Sequence, residues 1–103
     1  VAQIRWTSQA LADLEAIGDF IARDAPSFAQ VFVGRIFEAV DRLEKFPRSG
    51  RAVPELGREE IREIIFGSYR IVYLVSEDEV NILTVFHSAR QLRVSDLPNE
   101  PGE

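Results

Sequence analysis

The sequence predicts an α+β fold of order β-α-α-β-β-β: a helical hairpin packed on a small, mainly antiparallel sheet. Three observations carry this reading. Apolar residues recur at three- and four-residue steps in two blocks before residue 47. Three alternating segments rich in β-branched and aromatic residues follow from residue 61. The links between those segments are two residues long, the length of tight hairpins. At 103 residues the chain is one domain by size and should bury roughly two-thirds of its unfolded surface around one core. That domain is expected over residues 1–92. The remainder, 93–103, reads as an acidic, flexible tail, since residues 95–103 hold two prolines, a glycine and three acids.

Residues 2–6 alternate and predict the first strand. Thr7 is a helix N-cap, its hydroxyl suited to accept from an orphan amide, with Trp6 stapling onto Leu11. Leu11, Leu14, Ile17 and Ile21 mark the buried face of the first helix, with Asp13, Glu15 and Asp19 outside it. Pro26 ends that pattern and suits the first turn of a second helix, which runs to about Phe46. Ala29, Val33, Ile36, Val40 and Leu43 form its stripe, widened by Phe32 and Phe37. Residues 47–57 lack a period and read as a loop. Strands follow over 61–66, 69–76 and 79–87. The middle one sets Tyr69, Ile71, Tyr73 and Val75 against Arg70, Val72 and Leu74. In the last, strict alternation sets Asn81, Leu83, Val85 and His87 against Val80, Ile82, Thr84 and Phe86.

Composition excludes several classes of chemistry. With no cysteine and one histidine there is no disulfide framework, thiol nucleophile or iron–sulfur centre, so neither a metal nor another cofactor is expected. The longest apolar run, residues 71–75, falls far short of the roughly 20 a spanning helix needs. No basic start followed by an apolar stretch marks a signal peptide, so the reading is a cytoplasmic protein without membrane contact. A net charge of −5 opposes a protein that wraps nucleic acid itself. No phosphate-cradling glycine loop is present, and neither Ser68 nor Ser88 sits in a nucleophile elbow.

The informative cation is arginine, 11 of the 12 basic residues, whose planar donor fork matches carboxylate and phosphate. Residues 42–70 hold seven basic residues against five acids. Arg62 and Arg70 lie in consecutive strands, and His87 and Arg90 close the third. Two readings stand open: a basic cluster gripping a phosphate, nucleotide or acidic partner, or strand arginines paired with Glu60, Glu63 or Asp78. His87 is either a general acid–base or a histidine that hydrogen-bonds at a strand end. Tyr69 and Tyr73 are either stacking platforms or core.

In order, Trp6-Thr7-x-x-Ala10-x-x-Asp13-Leu14, Phe46-Pro47-x-x-Gly50, Val53-Pro54-Glu55-Leu56, Arg62-Glu63-Ile64, Tyr69-Arg70-Ile71-Val72-Tyr73 and Val85-Phe86-His87-x-x-Arg90 resemble the RelE/ParE toxin superfamily over residues 2–92, the ParE branch above all. The resemblance implies the growth-inhibiting toxin of a type II toxin–antitoxin system of the kind that stabilises plasmids. A ParD-like antitoxin would neutralise it, and it would meet DNA only through the antitoxin complex. The ParE branch implies DNA gyrase as target. The RelE branch implies the ribosome, where messenger RNA is cut without a metal, and a third reading is a non-toxic antitoxin-binding module.

The residues favour an inhibitor of gyrase over an enzyme. Metal-independent RNA cleavage needs a base, an acid and cations for the developing phosphorane charge. The resemblance to the RelE branch implies that several basic residues and a late tyrosine or histidine supply these groups, which makes Arg70, at the place of the branch's middle-strand arginine, His87 and Arg90 the catalytic candidates in that case. Yet no tyrosine follows Tyr73, lysine is nearly absent and the net charge is negative. Arg62, Arg70, His87 and Arg90 are the candidates for toxicity or target contact. Phe32, Ile36, Phe37 and Val40, on the wide stripe of the second helix, are the candidates for antitoxin binding, an amphipathic segment lying against them.

Overall fold

A computed structural model describes residues 1–98. Its elements are β1 (Gln3–Trp6), α1 (Ser8–Ala22), α2 (Pro26–Asp41), β2 (Arg51–Ala52), β3 (Ile61–Phe66), β4 (Tyr69–Val75) and β5 (Glu79–His87). The strands form one sheet in the order β1-β5-β4-β3-β2, antiparallel except that β1 runs parallel to β5. The expected α+β hairpin-on-sheet architecture is present, with one addition. The loop expected over 47–57 contains a two-residue edge strand, where Arg51 and Ala52 pair with Glu63 and Arg62.

The sequence signals for α1 hold at its start and shift on its face. Thr7 caps the helix, its hydroxyl oxygen accepting from the Ala10 amide at 3.1 Å and donating to the Ile82 carbonyl at 2.8 Å. The buried face is Ala10 and Leu14, flanked by half-buried Ile17 and Ile21, while Leu11 is 47% exposed. Trp6 packs on Phe37 of the second helix, ring centroids 4.9 Å apart. Small Ala10 lets the helix approach the sheet, and Asp13 accepts from the Thr84 hydroxyl and from the Val85 amide. Thr7, Ala10, Asp13 and Leu14 thus clamp α1 onto β5. The second helix begins with Pro26 at its first turn, ends at Asp41 and closes with a 3₁₀ turn at Arg42–Glu44, short of the expected Phe46.

Strict alternation in the last strand fails at one residue. Tyr73 pairs with Ile82 and Val72 with Thr84, so Leu83 is the extra residue of a β-bulge. An inserted residue inverts the phase beyond it. Val80, Ile82 and Val85 consequently face the helices, and Leu83 and Phe86 face away. The sheet carries a core on each side where one core was expected. The larger joins α1, α2 and the helix-facing residues of β4 and β5, including Ile71, Tyr73 and Val75. The smaller, Val53, Ile61, Val72, Leu83, Phe86 and Leu92, is roofed by the β2–β3 loop and the chain after β5. Packing continues past residue 92. A 3₁₀ turn covers Val94–Asp96, Gln9 donates to the Asp96 carbonyl at 2.8 Å, and Leu97 packs on the smaller core. The rest of the expected tail, 99–103, lies outside the described residues.

Candidate functional site

The two-residue Gly67-Ser68 hairpin, with Gly67 at φ 58°, sets the register that places the candidate arginines. Arg70 pairs with Ile65, and Arg62 pairs with Tyr73, whose ring lies in the helix-side core. The two arginines therefore project from opposite faces of the sheet and form no cluster. His87 stands across from Tyr69, ring centroids 5.7 Å apart, at the rim of the helix side. Of the four toxicity candidates only Arg70 and Arg90 come together, both over the Phe86 ring at 5.1 and 5.5 Å from its centroid.

Arg70 is 5% exposed, and four of its five N–H groups are engaged. Its Nε donates to Glu63 Oε1 at 2.6 Å, and its two terminal nitrogens grip both oxygens of Glu55 at 2.7 Å each. One of them also donates to the Arg90 carbonyl at 3.1 Å. Glu63, with its side chain fully buried, takes a second partner in Arg51 Nε at 2.7 Å. Two cations meet two carboxylates, and the network is neutral. The Arg70 guanidinium holds the Glu55 carboxyl down to about 2, helped by the Leu92 amide, while Glu55 and Glu63 raise Arg70 further. Glu63 is one of the three acids that the paired reading named. Glu55 is not, because it lies 15 residues from Arg70 on a loop and only the fold brings it there.

Arg62 also serves the interior. It donates to the Gly50 carbonyl (2.9 Å), just before β2, and to the Glu59 carbonyl (2.9 Å), tying both ends of the β2–β3 excursion to β3. The Tyr73 hydroxyl accepts from the Gly50 amide at 3.0 Å, and burial raises its ionisation above the usual tyrosine range. The tyrosine is core and not a stacking platform. The exposed groups are His87, whose Nδ1 accepts from the Ala89 amide at 3.2 Å, and Arg90. Among the described residues there is no group of three or more carboxylates or histidines arranged to hold a metal, and no helix long and apolar enough to cross a membrane.

The helical hairpin presents apolar surface, though through other residues than those expected. Ile36 and Val40 have no exposure and Phe32 only 8%, because the broad stripe of α2 packs on the sheet; of the four antitoxin candidates Phe37 alone reaches the surface. Between α1 and α2 runs an open groove of about 690 Å³ with Leu11, Val33 and Phe37 on its walls, Gly18 and Gly34 along it and Glu15 and Asp19 at its rim.

The comparisons with known proteins match this architecture. The family model described as the ParE toxin of the type II toxin–antitoxin system, parDE, matches residues 4–92. The toxin candidate Y4kP of Sinorhizobium fredii is 44% identical over 92 residues, covering 86% of this chain and 91% of that protein. Toxin RelE2 of Caulobacter vibrioides is 38% identical over 91 residues, covering 87% and 99%. Among solved structures, the chromosomal ParDE toxin–antitoxin system of P. aeruginosa superposes with a TM-score of 0.72 at 26% identity, over 84% of this chain and 95% of that one. The RelBE2 toxin–antitoxin complex of Mycobacterium tuberculosis gives 0.58 at 25% identity, over 84% and 96%.

Proposed function

Because this chain belongs to the ParE toxin family of type II toxin–antitoxin systems, we propose that it stops growth by inhibiting DNA gyrase and that a ParD-like antitoxin neutralises it. Its work would then lie in the cytoplasm, where gyrase is, and its contact with DNA would come through the antitoxin complex. The observation that favours gyrase over RNA cleavage is the state of Arg70. A catalytic arginine must offer its charge to a phosphorane, whereas this one faces two carboxylates and sits beneath the surface. Arg62 hydrogen-bonds backbone on the other face of the sheet. The antitoxin reading draws support from the open, largely apolar groove of the hairpin, a surface of the kind that takes an amphipathic segment, and from structural neighbours that are toxin–antitoxin systems.

The test is to incubate the purified protein with gyrase, ATP and supercoiled plasmid, then treat with detergent and protease. Linear DNA that depends on the protein is expected. Its absence, with messenger cleavage in a translating extract, would replace this reading by the RelE-type one that the name of the Caulobacter relative favours. Inactivity in both assays and in growth would leave an antitoxin-binding module.

A further inference from the structure

We infer that Arg70 and Glu55 are positioning residues that latch the chain after β5 into place, so that this segment, and not Arg70 itself, is what meets the target. The inference rests on the toxin reading above and names the part of the surface that performs it. Glu55 comes from the β2–β3 loop and reaches the backbone of a segment 37 residues later, where its Oε2 accepts from the Leu92 amide at 3.0 Å. The same carboxylate holds both terminal nitrogens of Arg70, and Arg70 donates onward to the Arg90 carbonyl. Leu92, 3% exposed, is driven into the smaller core beside Phe86. Two backbone bonds and one buried side chain therefore fix residues 90–92. Upstream, the Ser88 amide donates to the Ser68 carbonyl at 2.7 Å and the Arg90 amide to the His87 carbonyl at 3.1 Å. What this arrangement turns outward is His87, Arg90 and Arg93. Such a display of donors suits an acidic or phosphate-bearing surface, and its shape depends on a carboxylate whose bonds run inward, to Arg70 and the Leu92 amide.

The two roles of Arg70 predict opposite outcomes for Glu55. If Arg70 gripped the target, removing Glu55 would free its guanidinium and preserve or strengthen activity. If Arg70 positions, removing Glu55 undoes the latch and activity falls. Glu55→Ala and the milder Glu55→Gln would be compared with Arg70→Ala, Arg90→Ala and the wild type for growth inhibition on induction. Amide exchange would be followed in the purified proteins. The expected result is loss of growth inhibition in both Glu55 variants. The Leu92 amide should exchange about tenfold faster or more in Glu55→Ala, less so in Glu55→Gln, while the Val72 and Val85 amides of the sheet stay protected. Arg90→Ala should lose inhibition with the Leu92 amide still protected, a result that mere destabilisation does not give. Full growth inhibition in Glu55→Ala despite a deprotected Leu92 would overturn the inference, as would unchanged protection of Leu92 in that variant. A wild type that inhibits neither growth nor gyrase, with Leu92 protection still dependent on Glu55, would instead sink the toxin reading and leave the latch standing.

Discussion

At Glu55 a single carboxylate joins three parts of the chain that are distant in sequence, and its ionisation carries a measurable share of stability. Arg70 lowers it from 4.5 to about 2, a difference worth about 3 kcal/mol in favour of the folded state at neutral pH. The sign follows from the direction: a carboxyl depressed by folding stabilises fully above its unfolded value, and that stability drains away as pH falls from about 5 toward 2. Urea midpoints measured from pH 7 to pH 3 should therefore fall more steeply for the wild type than for Glu55→Gln; parallel slopes would contradict the coupling. Gly50 is constrained just as tightly. A Cβ there would sit 2.6 Å from the Tyr73 hydroxyl and closer still to the Glu63 carbonyl oxygen, so Gly50→Ala should cost about 1–3 kcal/mol by overpacking. Thermal melts of Gly50→Ala beside Tyr73→Phe, which instead strands the Gly50 amide, check that this knot is tight.

Among the elements, α1 depends on its first turn for docking as well as for capping. Thr7 satisfies the Ala10 amide and bonds the bulged region of β5 with the same hydroxyl. Thr7→Ala should thus cost about 1–2 kcal/mol, more than an isolated cap, whereas Thr7→Ser should keep most of it; equal losses in a denaturation series would refute the double role. The bulge at Leu83 explains why Asp13 matters: β5 bends there, and a helix carboxylate accepts from both the Thr84 hydroxyl and the Val85 amide. In α2 the stripe that reads as a docking face is instead the seal between helices and sheet. Ile36 and Val40 lie wholly within it, so truncating either tests folding and not recognition.

Over the whole molecule, the sheet separates the two surfaces for which functions are proposed. The helices cover one face and carry the groove proposed for the antitoxin on their outer side; a loop and the chain after β5 cover the other and shape the region proposed for the target. The groove offers a clean test, because a Cβ added at Gly34 meets nothing within 4 Å. Gly34→Trp should fold at least as well as the wild type, since glycine inside a helix costs roughly 1 kcal/mol. It should also fail to co-purify with the cognate antitoxin and remain toxic in its presence. Retained neutralisation would place the antitoxin elsewhere. The net charge of −5 belongs to this scale too: of the seven cations of residues 42–70, Arg51, Arg58, Arg62 and Arg70 are each paired with an acid, and Arg62 and Arg70 stand on opposite faces of the sheet, so these four add up to no continuous basic field.

The order of elements was legible in the sequence because local rules govern it. Thr7 as cap, Pro26 at a helix start and Gly67-Ser68 as a two-residue turn each act within a few residues, and the motifs of the RelE/ParE superfamily stand at the spacing those elements require. The same hairpin register already placed Arg62 and Arg70 on opposite faces, a signal within reach of alternation alone. Three things were not legible. The bulge at Leu83 leaves no mark in composition, since every residue around it suits a strand. The outward side of α2 is decided by whichever apolar surface the sheet claims first, and sequence periodicity gives a face without saying what covers it. The pairing of Arg70 with Glu55 spans a loop, and a charge pair of that separation exists only once β2, β3, β4 and the chain after β5 have closed around it. Sequence by itself determined the family, the two helices, four of the five strands and the hairpin turns; tertiary packing decided the edge strand β2 and which charges are free to act, because edge pairing, burial and partnership are properties of the assembled sheet and not of any residue in it.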